Sequence, residues 1–416
     1  MKVVIVHDFL KEYGGAERVV EAMHEVWPKA PIYTAFVDYE GLGPHAQRIR
    51  QWHIKTTWAQ SIPFISQLYS PLRFLAPLFF RSLDLSDYDL IISSTNAYYA
   101  KGVIKRPRAV HPRGVPQAQH HLGGDVSRKQ IHICYCHTPP RSLYGYKTAM
   151  DWKKNPIIRA YGTIINHFLR IYDFKAAQYI DYFIANSEEV KRRIKKFYRR
   201  EAVVIYPPVD IEKTIEDRKL KVGVEGRGSK VESKKIYSRS SNFKNPSSTI
   251  HHLSSNNYYL YVGKLAYAKH VDLAIVAANR LKIPLKIVGK GGEEEKLREL
   301  VNRYSSSEER SDESRSDDSG QVLRQAQDHE QSRMARMTKG SRQARTIKSH
   351  IEFLGEVSDG DLHKLYTKSK ALIFPAEDED FGIVPVEAMV HGVPVIAHRS
   401  GGVLESVING KTGVFF

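Results

Sequence analysis

Two carboxylates eight residues apart, Glu379 and Glu387, lie in the stretch EDEDFGIVPVEAMVHGVPVIA, with Phe381, Gly382 and Ile383 between them. Gly382 permits a tight turn. The residues after it read as the start of a helix, whose first amides lack internal partners and can take up a phosphate or another anion. Pro385 suits that first turn, where its missing N–H costs nothing. Glu379, in the loop before the turn, can accept hydrogen bonds from hydroxyls on one side of the anion, and Glu387, about one turn into the helix, on the other. A ligand with hydroxyls on both sides of its phosphates has the build of a nucleotide sugar: ribose, diphosphate, hexose.

The stretch VGKLAYAKH adds cations, with Lys264 directly after an apolar run and Lys269 five residues on. Two lysines near a helix start could neutralise a diphosphate that gains charge as it leaves. The other suggestive residues also fall where apolar runs end. Gly14 and Gly15 follow KVVIVHDF, His137 follows IHICYC, Asn186 and Ser187 follow YFIA, Gly263 precedes Lys264, and Gly289 follows LKIV. Scattered residues would not share that placement, so the pattern predicts one site at the strand ends.

The elements that must position them alternate. Short apolar runs read as strands, and amphipathic stretches such as GGAERVVEAMHEVW, residues 157–179, EEVKRRIKKFY, HVDLAIVAANRLK and the region 383–391 read as helices. LESVING reads as a last helix-like piece. The fold class is therefore α/β, with two doubly wound, Rossmann-like parallel-sheet domains facing a cleft. The expected division is residues 1–210 for an acceptor-side domain with an insert at 105–130, a low-complexity linker at 211–255, and residues 256–416 for a nucleotide-sugar-binding domain with an insert at 305–349.

The chain of 416 residues carries a formal charge of +17, and the segments 105–130, 213–255 and 305–349 hold twelve of those charges. They have little apolar content and no aromatic interleaving, which argues against a specific nucleic-acid surface. The two cysteines, Cys134 and Cys136, alternate onto one strand face and lack a second ligand pair, so no metal is expected. His120, His121, His251 and His252 sit in the insert segments. GKGGEEEKL lacks the lysine-serine ending of a phosphate loop, and its glycines read as a strand-to-helix turn. Residues 52–83 are aromatic, apolar and basic; they suit peripheral membrane contact and packing against the first sheet equally.

Taken together, GGAE, CHTPPR, ANSEEVKRRI, YPPVD, VGKLAYAKH, FLGEVSDGDLHKLY and FPAEDEDFGIVPVEAMVHGVPVIA resemble the retaining glycosyltransferase family 4 of GT-B fold. The N-terminal half looks most like bacterial mannosyltransferases of O-antigen and exopolysaccharide assembly. The resemblance implies that Glu379 binds the donor hexose and Glu387 the ribose, that the backbone of Phe381, Gly382 and Ile383 meets sugar and phosphate, and that Lys264 and Lys269 grip the diphosphate. It further implies that Gly15 admits the β-phosphate and that His137 bonds the hexose near the reaction centre. It implies transfer from GDP-mannose to a glycan or polyprenyl-lipid-linked acceptor, with retention, without a cofactor or metal, in the cytoplasm or on the inner face of its membrane. A sugar-nucleotide hydrolase or epimerase of the same fold, or an inactive binding fragment, is the alternative. Family members continue past NGKTGVFF, where this chain stops, so the resemblance also implies a C-terminal domain incomplete at its end.

Overall fold

The computed structural model describes residues 1–96, 99–105, 130–149, 151–209, 258–304 and 350–416. The expected linker and nearly all of both inserts lie outside the described residues, as do His120, His121, His251 and His252. The first sheet is built from β1 (Val3–His7), β2 (Ile32–Thr34), β3 (Ile54–Thr56), β4 (Leu90–Thr95), β5 (Ile131–Cys136), β6 (Tyr182–Ala185) and β7 (Ala202–Val204). These run parallel in the order β3-β2-β1-β4-β5-β6-β7. The second sheet contains β8 (Tyr258–Val262), β9 (Leu285–Val288), β10 (Ile351–Gly355), β11 (Ser369–Phe374), β12 (Val395–Ala397) and β13 (Gly413–Phe415). Its order is β10-β9-β8-β11-β12-β13, again parallel.

The apolar runs explain this architecture. In β1, Val4 and Val6 join a cluster with Phe36, Phe79 and Phe80, while Ile5 joins Val20 and Ile32 on the other face. In β8, Leu260 and Val262 pack with Leu372 and Val395, and Tyr261 packs with Ile275 and Ile287. A strand apolar on both faces is stable only with a covering layer on each. In both sheets the order reverses beside the first strand, between β1 and β4 and between β8 and β11. Connections leaving to opposite faces there open a crevice at the carboxyl ends of the strands.

Two strands go unread in the sequence, and two local expectations change. β3 and β13 are three-residue strands, too short to show an alternation. LESVING is helical only over Val403–Ser406. Val407 is extended, and Thr412 Oγ1 accepts from Ile408 N at 2.9 Å, turning the chain into β13. Residues 52–83 divide: Ile65, Ala76, Phe79 and Phe80 are core, whereas Phe64, Leu68, Phe74 and Leu78 are exposed. Cys134 and Cys136 are both buried, and burial pushes the Cys134 thiol up to about 12.

Candidate functional site

Two helix starts meet across the crevice. One helix, Gly15–Val26, begins after Gly14, and the other, Ile383–Val390, begins after Gly382. A methyl group built on Gly15 would lie 3.8 Å from Ile383 Cγ2, so the start of the first helix approaches the side chain that opens the second. Gly382 has φ +83, a left-handed conformation that favours glycine, and no side chain caps the helix behind it. In the other helix Glu17 accepts from the Gly14 amide at 2.9 Å. Both N-termini carry partial positive charge, so the gap between them favours an anion.

A cation and a carboxylate sit together on each flank. Lys269 pairs with Glu379. Arg18, from the first domain, pairs with Glu387, which is buried and also accepts from Tyr366 Oη at 3.0 Å. The two glutamates thus have different partners, Glu379 a lysine of its own domain and Glu387 an arginine of the other. Lys264 points elsewhere, to Glu12 of the first domain at 2.6 Å. Phe381 is buried, its ring 5.4 Å from Tyr206. Gly289, at φ +124, closes against the turn at Gly263; a Cβ there would lie 2.0 Å from the Gly263 carbonyl oxygen. Gly291 similarly approaches the Leu265 carbonyl, so the GKGG run does shape a strand-to-helix turn.

The loop carrying Glu379 is gripped by the first domain. Asp380 pairs with Arg193 and with Arg141, and both guanidinium groups also donate to the Asp378 carbonyl. Burial opposes the Arg141 charge, but Asp380 and Glu379 outweigh it and raise its pKa. Ser187 donates to the Asp380 carbonyl at 2.5 Å and accepts from Val190 N at 3.0 Å, capping the helix Glu188–Tyr198. Glu405 of the second domain accepts from the Glu188 and Glu189 amides at that same helix start, each at 2.8 Å. Asn186 is buried, and its Oδ1 has no hydrogen-bond partner among the described residues.

His137 ends β5 inside a histidine-serine chain. Its Nε2 meets Ser94 Oγ at 2.8 Å, Ser94 Oγ meets His7 Nδ1 at 3.2 Å, and His7 Nε2 meets Glu17 Oε1 at 3.4 Å. Burial, reinforced by His7, pushes the His137 imidazole down to about 3, so it is neutral at physiological pH. Burial lowers His7 too, but Glu17 and Asp8 outweigh it and its pKa is raised. His132, beneath Ser93, is likewise pushed down to about 3 by burial.

A pH dependence follows. His132 and His137 stay neutral in the fold but protonate near pH 6.5 once unfolded. Their contribution is therefore complete above pH 6.5 and is lost as pH falls toward 3. Between pH 7 and 5.5 each should cost the fold about 1 kcal/mol. His7 has the opposite sign, contributing below its unfolded pKa and losing that contribution as pH rises through its raised value. Urea unfolding followed at the two pH values, with His132→Gln as comparison, checks this; an unchanged midpoint would contradict the assignment.

Arg18, Arg141, Arg193, Asp380, Glu405 and the His7–Glu17 pair were not singled out by sequence. The only local signals were the HD after β1, the arginine in GGAER, and the aspartate wedged before FG.

Two parallel-sheet domains with a crevice of this kind define the GT-B fold, which the chain shares with solved structures. The Anabaena protein Alr3699/HepE, crystallised with UDP and glucose, superposes with a TM-score of 0.55 over 100% of this chain and 85% of its own, at 17% identity. Residues 332–416, which hold both glutamates, match the family described as glycosyl transferases group 1. The Schizosaccharomyces pombe alpha-1,3/1,6-mannosyltransferase alg2 is 45% identical over 65 residues, 16% of this chain and 13% of its own. A glycogen synthase of Mycobacterium tuberculosis is 30% identical over 160 residues, 37% of this chain and 29% of its own. The chain thus spans less than a third of the length of these curated relatives.

Proposed function

We propose that this protein transfers a hexose from a nucleotide sugar, GDP-mannose, to a hydroxyl of a glycan or polyprenyl-linked acceptor, extending a bacterial surface glycan. The observation that carries the reading is the pair of helix starts at Gly15 and Ile383, flanked by Lys269–Glu379 and Arg18–Glu387. The diphosphate sits between the helix starts, the hexose on the Glu379 side beside His137, and the ribose on the Glu387 side. The bond from the anomeric carbon to the β-phosphate oxygen breaks, and a bond from that carbon to the acceptor oxygen forms. The acceptor proton passes to the departing diphosphate, and configuration is retained without a metal. Neutral His137 orients the hexose by hydrogen bonding rather than by charge. Such an acceptor places the protein in the cytoplasm, on the inner face of the membrane.

A panel of nucleotide sugars in a thermal-shift assay, followed by nucleotide release with and without acceptor, tests this. GDP-mannose should give the largest shift. A larger shift with UDP-glucose would replace the donor, and no shift with any would end the reading. Acceptor-independent release at full rate would indicate a hydrolase.

A further inference from the structure

Glu379 and Asp380 are adjacent but pair with different domains. The Glu379 carboxylate meets Lys269 of its own domain, whereas the Asp380 carboxylate meets Arg193 and Arg141 of the first. The same two guanidinium groups reach past that carboxylate to the main chain. Arg141 Nη2 donates to the Asp378 carbonyl at 2.7 Å and Arg193 Nη2 at 3.0 Å, while Ser187 Oγ donates to the Asp380 carbonyl. The carbonyls of the residues before and after Glu379 are thus both held from the first domain. The second domain holds the rest: the Glu379 carbonyl accepts from the Gly402 amide at 2.7 Å, and the Asp378 amide donates to Ser400 Oγ at 2.9 Å.

The gripping side chains are themselves fixed. Arg193 is only 2% exposed. Its guanidinium also donates to Glu189 Oε1 at 3.0 Å and to Thr138 Oγ1 at 3.3 Å, and it lies 4.3 Å from the centre of the Tyr146 ring. A planar guanidinium with several acceptors around it has one orientation that serves them all. Arg141 stands four residues after His137, on the loop that leaves β5. Asp378 has φ +52, a left-handed conformation that costs energy outside glycine, and both arginines bond to its carbonyl. Docking of two domains would need only the Asp380 carboxylate. Bonds to the carbonyls around Glu379 fix a loop conformation as well.

We infer that Arg141, Arg193 and Asp380 are positioning residues that make hexose recognition by Glu379 depend on the first domain. Without them the second domain still presents its helix start and Glu387 to a nucleotide. The Glu379 loop then keeps only the contacts within its own domain, and its carboxylate loses a fixed aim. Because Arg141 and His137 share one loop, the clamp also sets the spacing of His137 and Glu379, the two groups placed on the hexose side. None of the three residues needs to touch the sugar. The inference rests on the proposed donor reading and adds to it residues that the reading does not use.

Calorimetry on the full chain with GDP and with GDP-mannose tests it. If another nucleotide sugar gives the larger thermal shift, it and its nucleoside diphosphate take their place. Asp380→Asn keeps the shape of the side chain and removes its charge. It should weaken GDP-mannose by about tenfold and leave GDP within about twofold of the parent. Arg193→Lys keeps the charge but offers one ammonium where the guanidinium serves separate acceptors, and should show the same split. It carries the test if Asp380→Asn does not fold. A double variant distinguishes positioning from an independent structural loss. In a Glu379→Gln background, Asp380→Asn should cost GDP-mannose little more, because the group it positions is already gone. Losses that multiply in the double variant, equal losses of GDP and GDP-mannose, or no loss at all overturn the inference while the donor reading stands. A parent chain that binds neither nucleotide nor nucleotide sugar ends both.

Discussion

Glu387→Gln is expected to weaken free GDP by roughly ten- to a hundredfold, the loss of a charge-assisted hydrogen bond to ribose. Glu379→Gln should leave GDP nearly unchanged and lose affinity only for the sugar-bearing donor. The difference is expected because, in the proposed reading, the two carboxylates hold opposite ends of the donor. Glutamine is the informative replacement, since alanine at 387 would strand the Arg18 guanidinium and the Tyr366 hydroxyl that it now holds. Lys269→Ala should reduce both ligands, because the diphosphate is common to them. Calorimetry with GDP and GDP-mannose separates the cases. Equal loss of GDP in both glutamate variants would show that Glu379 and Glu387 do not divide the ligand.

The other large effect should come from a residue that touches no ligand. Gly401 has φ +69, and a Cβ there would lie 2.3 Å from the Glu379 carbonyl oxygen and 2.6 Å from its amide nitrogen. The neighbouring Gly402 amide donates to that carbonyl at 2.7 Å, so the glycine pair seats the Glu379 loop. Gly401→Ala must strain the backbone, at roughly 1–3 kcal/mol, and also push the loop away. The melting midpoint should fall by roughly 5–15 °C, and sugar-donor affinity should fall with it. Gly292→Ala, where an added Cβ meets nothing within 4 Å, is the matching control and should be close to neutral. A Gly401→Ala protein that melts and binds like the parent would show that the loop tolerates the shift.

What could be read from sequence was what is local. The strand β1 announces itself because four consecutive residues, Val3 to Val6, serve two cores. Glu379, Gly382 and Glu387 announce themselves because turn, helix start and carboxylates lie within nine positions. Arg18 and Glu387 are 369 residues apart, and Asp380 lies 187 from Arg193 and 239 from Arg141. No spacing rule connects such pairs; only the meeting of two sheets does. Lys264 adds another partner that spacing does not show. Its position after β8 is right for a phosphate ligand, yet its ammonium is taken by Glu12, a residue with no sequence signal. The helix Pro156–Gln178 was visible as a helical pattern, but periodicity alone cannot say which apolar side faces inward.

The meeting of the Gly15 and Ile383 helix starts has a kinetic consequence. Two positive poles brought near each other repel, and negative charge lying between them holds one domain to the other. The charge there does not disappear when the sugar moves. It stays on the nucleoside diphosphate, and grows once that product gives up the acceptor proton to solvent. If the proposed transfer takes place here, the product is held at least as tightly as the donor, and product escape rather than bond breaking should pace turnover.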